Sequence, residues 1–260
     1  MQKLNFLKIF ESIFKKNNSK QTAESIKADS LPLHVGIIMD GNRRWAKKRN
    51  LPVSTGHSKG AETFKKLALY CNKIGLRHLT VYAFSTENWK RSEKEISALM
   101  LLFRKYLKMV MEEFKEENIR VKFIGDISRF SEDIKEMITI IETETKNRTG
   151  LNLNIAMNYG SRAEILRAIR NISKKIENKE LKTEDINEQL LENNLYTNGQ
   201  GDIDLIIRTA GEQRISNFLL WQSAYAEFYF TDVLWPDFSE NEFNKAITEY
   251  NKRIRKFGGA

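Results

Sequence analysis

Cysteine is almost absent from this 260-residue chain. Cys71 is the only cysteine, and histidine occurs three times. A single cysteine cannot form an intramolecular disulfide bond or a cysteine metal cluster. A chain without disulfides fits a reducing compartment, so we expect a cytoplasmic protein.

Long apolar runs and prolines are also scarce. No stretch approaches the roughly 18 consecutive apolar residues of a membrane span, and three prolines leave no proline-rich linker. The length suits one large α/β domain or two small ones. Because no boundary is evident after residue 30, we expect one domain over residues 31–260, preceded by an extension over residues 1–30.

The common phosphate and metal motifs are missing as well. There is no Gly-x-x-x-x-Gly-Lys phosphate loop and no Gly-x-Gly-x-x-Gly fingerprint. No Asp-Asp-x-x-Asp motif is present to bind Mg²⁺-diphosphate from one helix, and no Cys/His spacing suits zinc. Phosphate chemistry in this chain must therefore rest on arginines and on a single aspartate.

Positive charge, by contrast, is in excess. Lysine and arginine number 43 against 34 aspartates and glutamates, which gives a formal net charge of +9. Such a charge favours an anionic partner: nucleic acid, a membrane surface or a phosphorylated small molecule. No RNA- or DNA-binding motif is present, so we expect no nucleic acid partner; a basic nucleic-acid-binding protein stands as an alternative.

Residues 1–16 combine apolar side chains at roughly helical spacing with flanking lysines. A basic amphipathic helix can lie on a membrane surface, which would give peripheral contact with the inner face of the membrane. A helix packed on the protein and a frayed terminus are equal alternatives. Charged residues interrupt the apolar run and no small-residue cleavage site follows, so a signal peptide is not expected.

From His34 onwards, apolar runs alternate with stretches of helical periodicity. The strand-like runs are 35–39, 79–84, 121–124, 151–157, 203–207 and 227–231. The helical stretches are 58–74, 93–117, 131–147, 161–177, 183–195, 215–226 and 239–256. Six strands separated by helices predict an α/β fold, a single domain with a mostly parallel six-stranded sheet flanked by helices. The stretch 93–117 is apolar over more than one narrow stripe, which fits either core packing or the wall of an apolar tunnel.

The stretch from His34 to Trp45 ends a predicted buried strand on a carboxylate, Asp40, followed by a glycine, an amide, Arg43 and Arg44. In open α/β sheets, ligands bind beyond the carboxyl ends of the strands. Arginine pairs well with phosphate oxygens, and a lone aspartate suits Mg²⁺ that is shared with substrate phosphates. A strand followed by a salt-bridged turn is the alternative explanation.

Three further stretches place polar side chains at the same edge. His57 stands just before the helix predicted from Ser58, and helix amino ends attract anions. Residues 83–91 follow the second predicted strand and carry an amide, a tryptophan and an arginine. In residues 204–222 a buried strand delivers Arg208, with Arg214 and Ser216 before a predicted apolar helix, which indicates a second anion site. Glu227 opens the last strand and is a candidate second carboxylate for a metal.

Taken together, these motifs resemble the cis-prenyltransferase family over about residues 32–259. The resemblance rests on several motifs in one order: His34–Trp45, Gly56-His57, Tyr82–Arg91, Asn158-Tyr159-Gly160, Asp204–Gln222, Tyr225–Phe238 and Phe257-Gly258-Gly259. It implies an enzyme that adds isopentenyl diphosphate repeatedly to an allylic diphosphate, commonly farnesyl diphosphate, with each new double bond cis. The implied product is a long-chain polyprenyl diphosphate of the kind that carries cell-wall precursors. The implied cofactor is Mg²⁺, and the implied assembly is a homodimer with an apolar tunnel in each subunit.

The resemblance also implies a role for individual residues. Asp40 would be the essential carboxylate and Mg²⁺ ligand, and Asn88 would act at the reacting carbon. Glu227 would contact Mg²⁺ from the other subunit, and Leu151 would lie near the closed end of the tunnel. The residues implied in substrate binding are Gly41, Asn42, Arg43, Arg44, Trp45, His57, Ser85, Thr86, Glu87, Trp89, Arg91, Arg208, Arg214 and Ser216.

Two positions depart from the family pattern. The position four before His57 is normally arginine and is Val53 here, whereas the position after Asn42 is often glycine and is Arg43 here. We hypothesise that Arg43 partly replaces the contact missing at Val53. A non-catalytic partner subunit of the same fold is an alternative function, although such relatives lose the aspartate or the arginines that this chain retains.

Overall fold

The computed structural model describes residues 30–255, so the amphipathic segment predicted over residues 1–16 lies outside the described residues. Each of the six predicted strands is confirmed within about three residues at either end. The strands are β1 (His34–Ile38), β2 (His78–Ser85), β3 (Ile119–Ile124), β4 (Leu151–Tyr159), β5 (Leu205–Arg208) and β6 (Glu227–Phe230).

The strands form one sheet in the order β3-β4-β2-β1-β5-β6, and every neighbouring pair is parallel. All residues of β1 and β5 are buried. Continuous apolar runs are typical of parallel strands covered on both faces, which explains why the strand positions were readable from the sequence. The predicted sheet class is confirmed, and the sheet is parallel throughout.

Seven helices of the described residues connect and cover these strands. They are α1 (Asn42–Lys48), α2 (Val53–Lys73), α3 (Glu93–Glu113), α4 (Glu132–Thr145), α5 (Ser161–Glu177), α6 (Glu188–Glu192) and α7 (Glu240–Asn251). Short 3-10 turns are present at Thr86–Lys90, Ile127–Arg129, Thr183–Asp185 and Trp235–Asp237. Among the described helices, none has the length and apolar character that a membrane crossing requires.

Three helix predictions were wrong in detail. The apolar stretch 215–226 contains turns and no helix, because Ser216, Asn217 and Leu219 have positive φ and interrupt helical geometry. The helix expected from Ser58 begins at Val53, so His57 lies within α2 and does not precede it. The helix expected over 183–195 is reduced to a 3-10 turn and the five residues of α6.

Helix α1 was not predicted, because its charged sequence has no apolar period. Gly41 allows it to begin directly behind Asp40. Gly41 has φ of 113°, and a Cβ atom there would approach Leu234 Cδ2 to 3.0 Å and Ala210 Cβ to 3.1 Å. Only glycine fits a left-handed turn in so little space. The turn therefore places a short helix against the end of β1.

Candidate active site

The backbone of Asp40 is fixed between β1 and β5 by Thr209. The Asp40 amide donates to Thr209 Oγ1 at 3.0 Å, and the same hydroxyl donates to the Asp40 carbonyl at 2.6 Å. The Trp235 amide also donates to the Asp40 carbonyl, at 3.0 Å. Because both backbone groups of Asp40 are satisfied by buried partners, its carboxylate projects from a rigid position.

Charged side chains alternate in sign around Asp40. Asp40 Oδ2 accepts from Arg208 Nη2 at 3.0 Å, and Asp40 Oδ1 lies 3.2 Å from Arg44 Nη2. Arg44 Nη1 lies 3.2 Å from Glu212 Oε1, and the other oxygen of Glu212 accepts from Arg214. Three arginines are thus held by two carboxylates. A diphosphate could replace these carboxylate contacts, because its oxygens match the guanidinium fork.

The Ser216 turn (residues 214–217) forms a second part of this edge. Arg208 Nη1 donates to the Arg214 carbonyl and to Ser216 Oγ, the latter at 2.7 Å. The Arg208 side chain is 5% exposed, so it is fixed between Asp40 and this turn. The predicted association of Arg208, Arg214 and Ser216 is present, although a turn with positive φ presents Ser216 and no helix follows it.

His57 projects from the second turn of α2 towards α1. Its Nδ1 lies 3.5 Å from the Asn42 amide nitrogen, and its carbonyl accepts from the Tyr106 hydroxyl at 2.5 Å. Burial, followed by the nearby Arg91 guanidinium, lowers the pKa of His57 below its ordinary value of 6.5. Without a bound ligand the imidazole is therefore neutral at pH 7, and a ring N–H can donate a hydrogen bond to a phosphate oxygen.

The Asn88 loop (the 3-10 turn Thr86–Lys90) follows β2 and covers one side of the edge. Asn88 Oδ1 accepts from the Ser85 amide at 3.1 Å. Trp89 points away from the edge: its indole nitrogen donates to Asn158 Oδ1 at 2.7 Å, and its ring lies 5.2 Å from that of Phe84. Trp89 therefore anchors the loop to the core, and Asn88 faces the opening.

These groups surround the mouth of a cavity of about 710 Å³. The cavity passes between the sheet and α3, whose buried side chains Leu99, Phe103, Leu107 and Val110 form one wall. Core packing and the wall of an apolar tunnel were the alternative predictions for this helix; these four residues are buried and line the cavity, and a tunnel stays a prediction. A polar mouth with apolar walls is the arrangement expected of a site for an amphipathic ligand.

The cavity ends well above Leu151. The deepest sheet residues along its wall are Val81, Ile155 and Phe123, which form one register row across β2, β4 and β3. Residues two positions earlier on a strand face the same side, and those of the next row are buried core. Leu151 lies four residues before Ile155, which places it about 13 Å further from the cavity mouth at ~3.3 Å per residue. It is 1% exposed. Leu151 therefore does not line the cavity.

Ten of the residues expected at the site line the cavity: Asp40, Asn42, His57, Ser85, Glu87, Asn88, Arg91, Arg208, Arg214 and Ser216. Arg44 lies at the rim of the cavity, where it contacts Asp40. Gly41, Thr86 and Trp89 belong to the segments that line the cavity but do not line it themselves. Trp45, a residue of α1, also does not line the cavity, and its indole nitrogen donates to Asp237 at 2.7 Å.

Two of the expected residues lie apart from the cavity. Arg43 contacts Glu95 Oε1 at 3.2 Å, and Arg91 contacts the same oxygen at 3.0 Å. Glu227 starts the edge strand β6, at the end of the strand opposite to the cavity, and accepts from Arg253 at 2.6 Å. Within one chain, Glu227 is therefore remote from Asp40.

Several contributing residues were missed in the sequence. Thr209 and Glu212 lie in the same stretch as Arg208, and only their position after the fifth predicted strand could have indicated a role. Tyr106, which holds His57, lies on a helix read only for its apolar period. Asn217 follows Ser216 directly and reaches Glu87 with its side-chain amide at 3.0 Å. Such long-range partners become visible only when the turns are known.

The donor set at Asp40 fits Mg²⁺ bound with a phosphorylated ligand. Within residues 30–255, no group of three or more histidine, cysteine, aspartate or glutamate side chains could hold a metal by itself. Mg²⁺ is usually bound through one or two carboxylates, water and substrate phosphates. Asp40 offers one carboxylate, 30% exposed, with arginines on either side for the phosphates.

Comparison with known proteins agrees with this geometry. The family model for undecaprenyl diphosphate synthase matches residues 38–258. The isoprenyl transferase of Clostridium tetani is 51% identical over 249 residues, which cover 94% of this chain and 98% of the relative. The ditrans,polycis-undecaprenyl-diphosphate synthase of Haemophilus influenzae, described as (2E,6E)-farnesyl-diphosphate specific, is 50% identical over 88% of this chain and 96% of the relative.

Two solved structures have the same fold. Lavandulyl diphosphate synthase from Lavandula x intermedia, in complex with dimethylallyl diphosphate, has a TM-score of 0.85 and 38% identity over 88% of this chain and 99% of that chain. A probable undecaprenyl diphosphate synthase from Campylobacter jejuni has a TM-score of 0.73 and 38% identity over the same shares. Both are similar along almost their whole length.

Proposed function

The chain belongs to the undecaprenyl diphosphate synthase family, and from that membership we propose that it is a cis-prenyltransferase. It condenses isopentenyl diphosphate repeatedly onto an allylic diphosphate, and the product is a long-chain polyprenyl diphosphate such as undecaprenyl diphosphate. Farnesyl diphosphate is the proposed primer, as the name of the Haemophilus influenzae relative states for that protein.

The observation that carries the proposal is the division of one cavity into a charged mouth and apolar walls. Asp40, Arg208 and Arg214 are at the mouth, and side chains such as Phe103 and Ile155 line the interior. A prenyl diphosphate has the same division between an anionic head and a hydrocarbon tail. The mouth would bind the head through arginine, and the walls would take the tail out of water at about 25 cal/mol per Å² of apolar surface buried.

Two groups of side chains at the mouth suit two diphosphates. Asn42, Arg44 and His57 lie along α1 and α2, and we assign them to the allylic diphosphate. Arg208, Arg214 and Ser216 belong to the Ser216 turn and the strand end beside it, and we assign them to isopentenyl diphosphate. Since both groups face one cavity, the two substrates are held next to each other, and this proximity removes much of the entropic barrier of a bimolecular step.

Departure of the allylic diphosphate creates negative charge that the mouth must neutralise. Arg44 supplies a fixed positive charge there, and Asp40 would hold Mg²⁺ together with phosphate oxygens. When bound, Mg²⁺ would supply further neutralisation of the leaving group. Asn88 is an amide and a poor base, so we assign it to positioning the reacting carbon, with a diphosphate oxygen as the proton acceptor.

The test is to incubate the purified chain with labelled isopentenyl diphosphate, farnesyl diphosphate and Mg²⁺, and to size the lipid products. Parallel reactions use dimethylallyl diphosphate as the primer, or EDTA in place of Mg²⁺. Metal-dependent formation of long products from farnesyl diphosphate is the expected result. If the purified chain is folded but makes no product in the absence of another protein, the proposal is contradicted and a non-catalytic partner subunit is favoured.

We also propose that the chain is a homodimer, with the sheet edge at β6 in the interface. All four residues of β6 are only half-buried, and the rings of Phe228 and Phe230 stack on its surface 6.0 Å apart. An apolar edge strand left in water is prone to pair with another chain. In this arrangement Glu227 would turn towards the partner's site. Light scattering is expected to give twice the chain mass at assay concentration, and an active monomer contradicts the proposal.

For residues 1–16 we propose peripheral contact with anionic membrane. A polyprenyl product gains about 0.8 kcal/mol per buried CH₂, so it partitions strongly into a bilayer, and an enzyme held at the surface can release it there. Deleting residues 1–25 is expected to reduce binding to anionic liposomes and to leave turnover in detergent unchanged. Equal binding of the truncated and full-length proteins would exclude this role.

A further inference from the structure

Three segments of the cavity mouth meet at Gly160, which joins β4 to α5. A Cβ atom added to Gly160 would lie 2.6 Å from Thr86 Oγ1, in the Asn88 loop, and 2.7 Å from Asn217 Nδ2, in the Ser216 turn. Both distances are shorter than real Cβ contacts allow. The absence of a side chain at Gly160 therefore lets the Asn88 loop and the Ser216 turn approach each other directly.

Asn217 makes the direct link between them. Its Nδ2 donates to Glu87 Oε1 at 3.0 Å across this gap. Its other polar groups are used at the start of α5: Oδ1 accepts from the Arg162 amide at 2.9 Å, and the carbonyl accepts from the Ser161 amide at 2.8 Å. Asn217 thus has one fixed side, on α5, and one side that contacts a loop.

The backbone of Asn217 supports a positioning role. Ser216 and Asn217 have φ of 49° and 62°, a region that non-glycine residues adopt at an energetic cost and that asparagine tolerates better than most. Strained backbone of this kind persists only where surrounding contacts hold it, and it concentrates at functional sites. The contacts of Asn217 with α5 hold the turn in a conformation that also presents Ser216 to the cavity.

We propose that Asn217 is a positioning residue that couples the isopentenyl diphosphate subsite to the Asn88 loop, which positions the reacting carbon of the allylic substrate, through its hydrogen bond to Glu87. The inference rests on the proposed function. Isopentenyl diphosphate bound by the Ser216 turn restricts the motion of Asn217. Asn217 in turn restricts Glu87, and with it the neighbouring Asn88 of the Asn88 loop. Each substrate then lowers the cost of ordering the segments that the other requires, so the two bind cooperatively.

The chain offers an exchange of partners as the test. In Asn217→Asp, the new carboxylate still accepts from the Arg162 amide but opposes Glu87 without a donor between them. Adding Glu87→Gln then supplies an amide that donates to the new carboxylate, which restores one hydrogen bond and the original net charge. Asn178→Asp is the matched control, because Asn178 donates to Glu180 Oε1 at the same 3.0 Å on the exposed end of α5.

The measurement is the dissociation constant of isopentenyl diphosphate by calorimetry, with and without a saturating farnesyl diphosphate analogue whose bridging oxygen is sulfur. In the wild type and in Asn178→Asp, the analogue is expected to tighten binding by about fivefold or more, a common size for coupling between sites. In Asn217→Asp the factor is expected to fall close to one, and in the double variant it is expected to return towards the wild-type value.

Glu87→Ala provides a second variant that does not alter the strained turn. It removes the acceptor from an exposed side chain, and it is also expected to lose the coupling factor. The inference is overturned if either Asn217→Asp or Glu87→Ala keeps the wild-type factor, or if the double variant remains as uncoupled as Asn217→Asp. An active wild type without cooperative binding overturns the inference alone, whereas a wild type that makes no polyprenyl product overturns the proposed function.

Discussion

The amino ends of the strands (the amino edge of the sheet) and their carboxyl ends (the carboxyl edge) hold polar groups in different ways. At the amino edge, His34 Nε2 lies 2.8 Å from Thr80 Oγ1, which also accepts from Asn154 at 2.9 Å, and Asn154 exchanges hydrogen bonds with Gln200. His34, Thr80 and Asn154 are all fully buried. At the carboxyl edge, Asp40 and Arg44 are partly exposed and held by ion pairs. A buried network of uncharged groups stabilises the first edge together with Asp204, whereas partly exposed ion pairs occupy the second.

Backbone strain differs between the edges in the same way. Five of the seven non-glycine residues with positive φ in the described part of the chain lie at the end of β4 or between β5 and β6. They are Asn158, Ala210, Ser216, Asn217 and Leu219. Strained backbone is stabilised by the rest of the fold and is typical of ligand sites. The comparison indicates that the amino edge contributes stability and the carboxyl edge contributes chemistry.

The largest effect expected from this division is on Asp40 and its counterpart at the amino edge, Asp204. Asp40→Ala removes the carboxylate that would hold Mg²⁺, so turnover is expected to fall roughly 10²–10⁴-fold. The fold should persist, because Arg208 retains its contacts with the Ser216 turn. The measurements are steady-state turnover and thermal unfolding.

Asp204→Ala is the matched control at the opposite edge. Asp204 Oδ2 accepts from the amides of Leu33 and His34 at 2.8 and 3.0 Å, and Oδ1 accepts from Arg255. Losing these charged hydrogen bonds is expected to lower the free energy of unfolding by roughly 2–3 kcal/mol, with turnover per folded molecule unchanged. If both variants lose activity without losing stability, or both lose stability without losing activity, the proposed division between a catalytic carboxyl edge and a stabilising amino edge is wrong.

The sequence predicted the sheet well because buried parallel strands are short, apolar and continuous. It also predicted Asp40, Arg208 and Arg214 at one edge, because parallel topology brings strand ends together. It could not predict the Ser216 turn, since the apolar residues Phe218 and Leu219 follow helical spacing while the backbone of this stretch adopts positive φ. Nor could it predict the link from Asn217 to Glu87, which joins residues 130 positions apart.

A smaller effect is expected from pH, and it belongs to the amino edge. Burial lowers the pKa of His34 from 6.5 to about 3 and that of His78 to about 4. Between pH 6.5 and 3 the unfolded chain therefore binds more protons than the folded one. Neutral His34 contributes stability that is complete above pH 6.5 and is lost as the pH falls. At pH 5 the loss is about 2 kcal/mol, from 1.5 units at about 1.4 kcal/mol per unit.

His34→Gln isolates this contribution, because glutamine keeps a polar end and does not titrate. Denaturant unfolding at pH 7 and pH 5 gives the difference in free energy for each protein. The difference is expected to be smaller in the variant by about 2 kcal/mol, whatever the stability of the variant at pH 7. An unchanged difference would show that the acid sensitivity arises from groups other than His34.

The smallest effect expected concerns Arg43 and Val53, which depart from the family pattern at the carboxyl edge. Val53 begins α2 one helical turn before His57, and positions i and i+4 share a helix face. A long side chain at position 53 would therefore extend towards the mouth. Arg43, on α1, lies apart from the cavity and shares Glu95 with Arg91, which lines it. Our hypothesis remains that the Arg43 guanidinium substitutes for one missing at position 53.

The test is a double-mutant cycle on KM for farnesyl diphosphate at fixed Mg²⁺. Arg43→Ala removes the guanidinium and avoids the helix cost of glycine; since a charged hydrogen bond contributes roughly 1.5–3 kcal/mol, KM is expected to rise about tenfold or more. Adding Val53→Arg should restore much of the affinity, so the two changes are expected to be non-additive. Lys48→Ala controls for the loss of one positive charge, because Lys48 is exposed at the far end of α1. Effects that simply add, or an Arg43→Ala variant that matches Lys48→Ala, would mean that Arg43 is a solvated charge held by Glu95. Arginine is long and its fork can approach phosphate from several directions, which is why the charge can be relocated at this edge while the Asp40 carboxylate cannot.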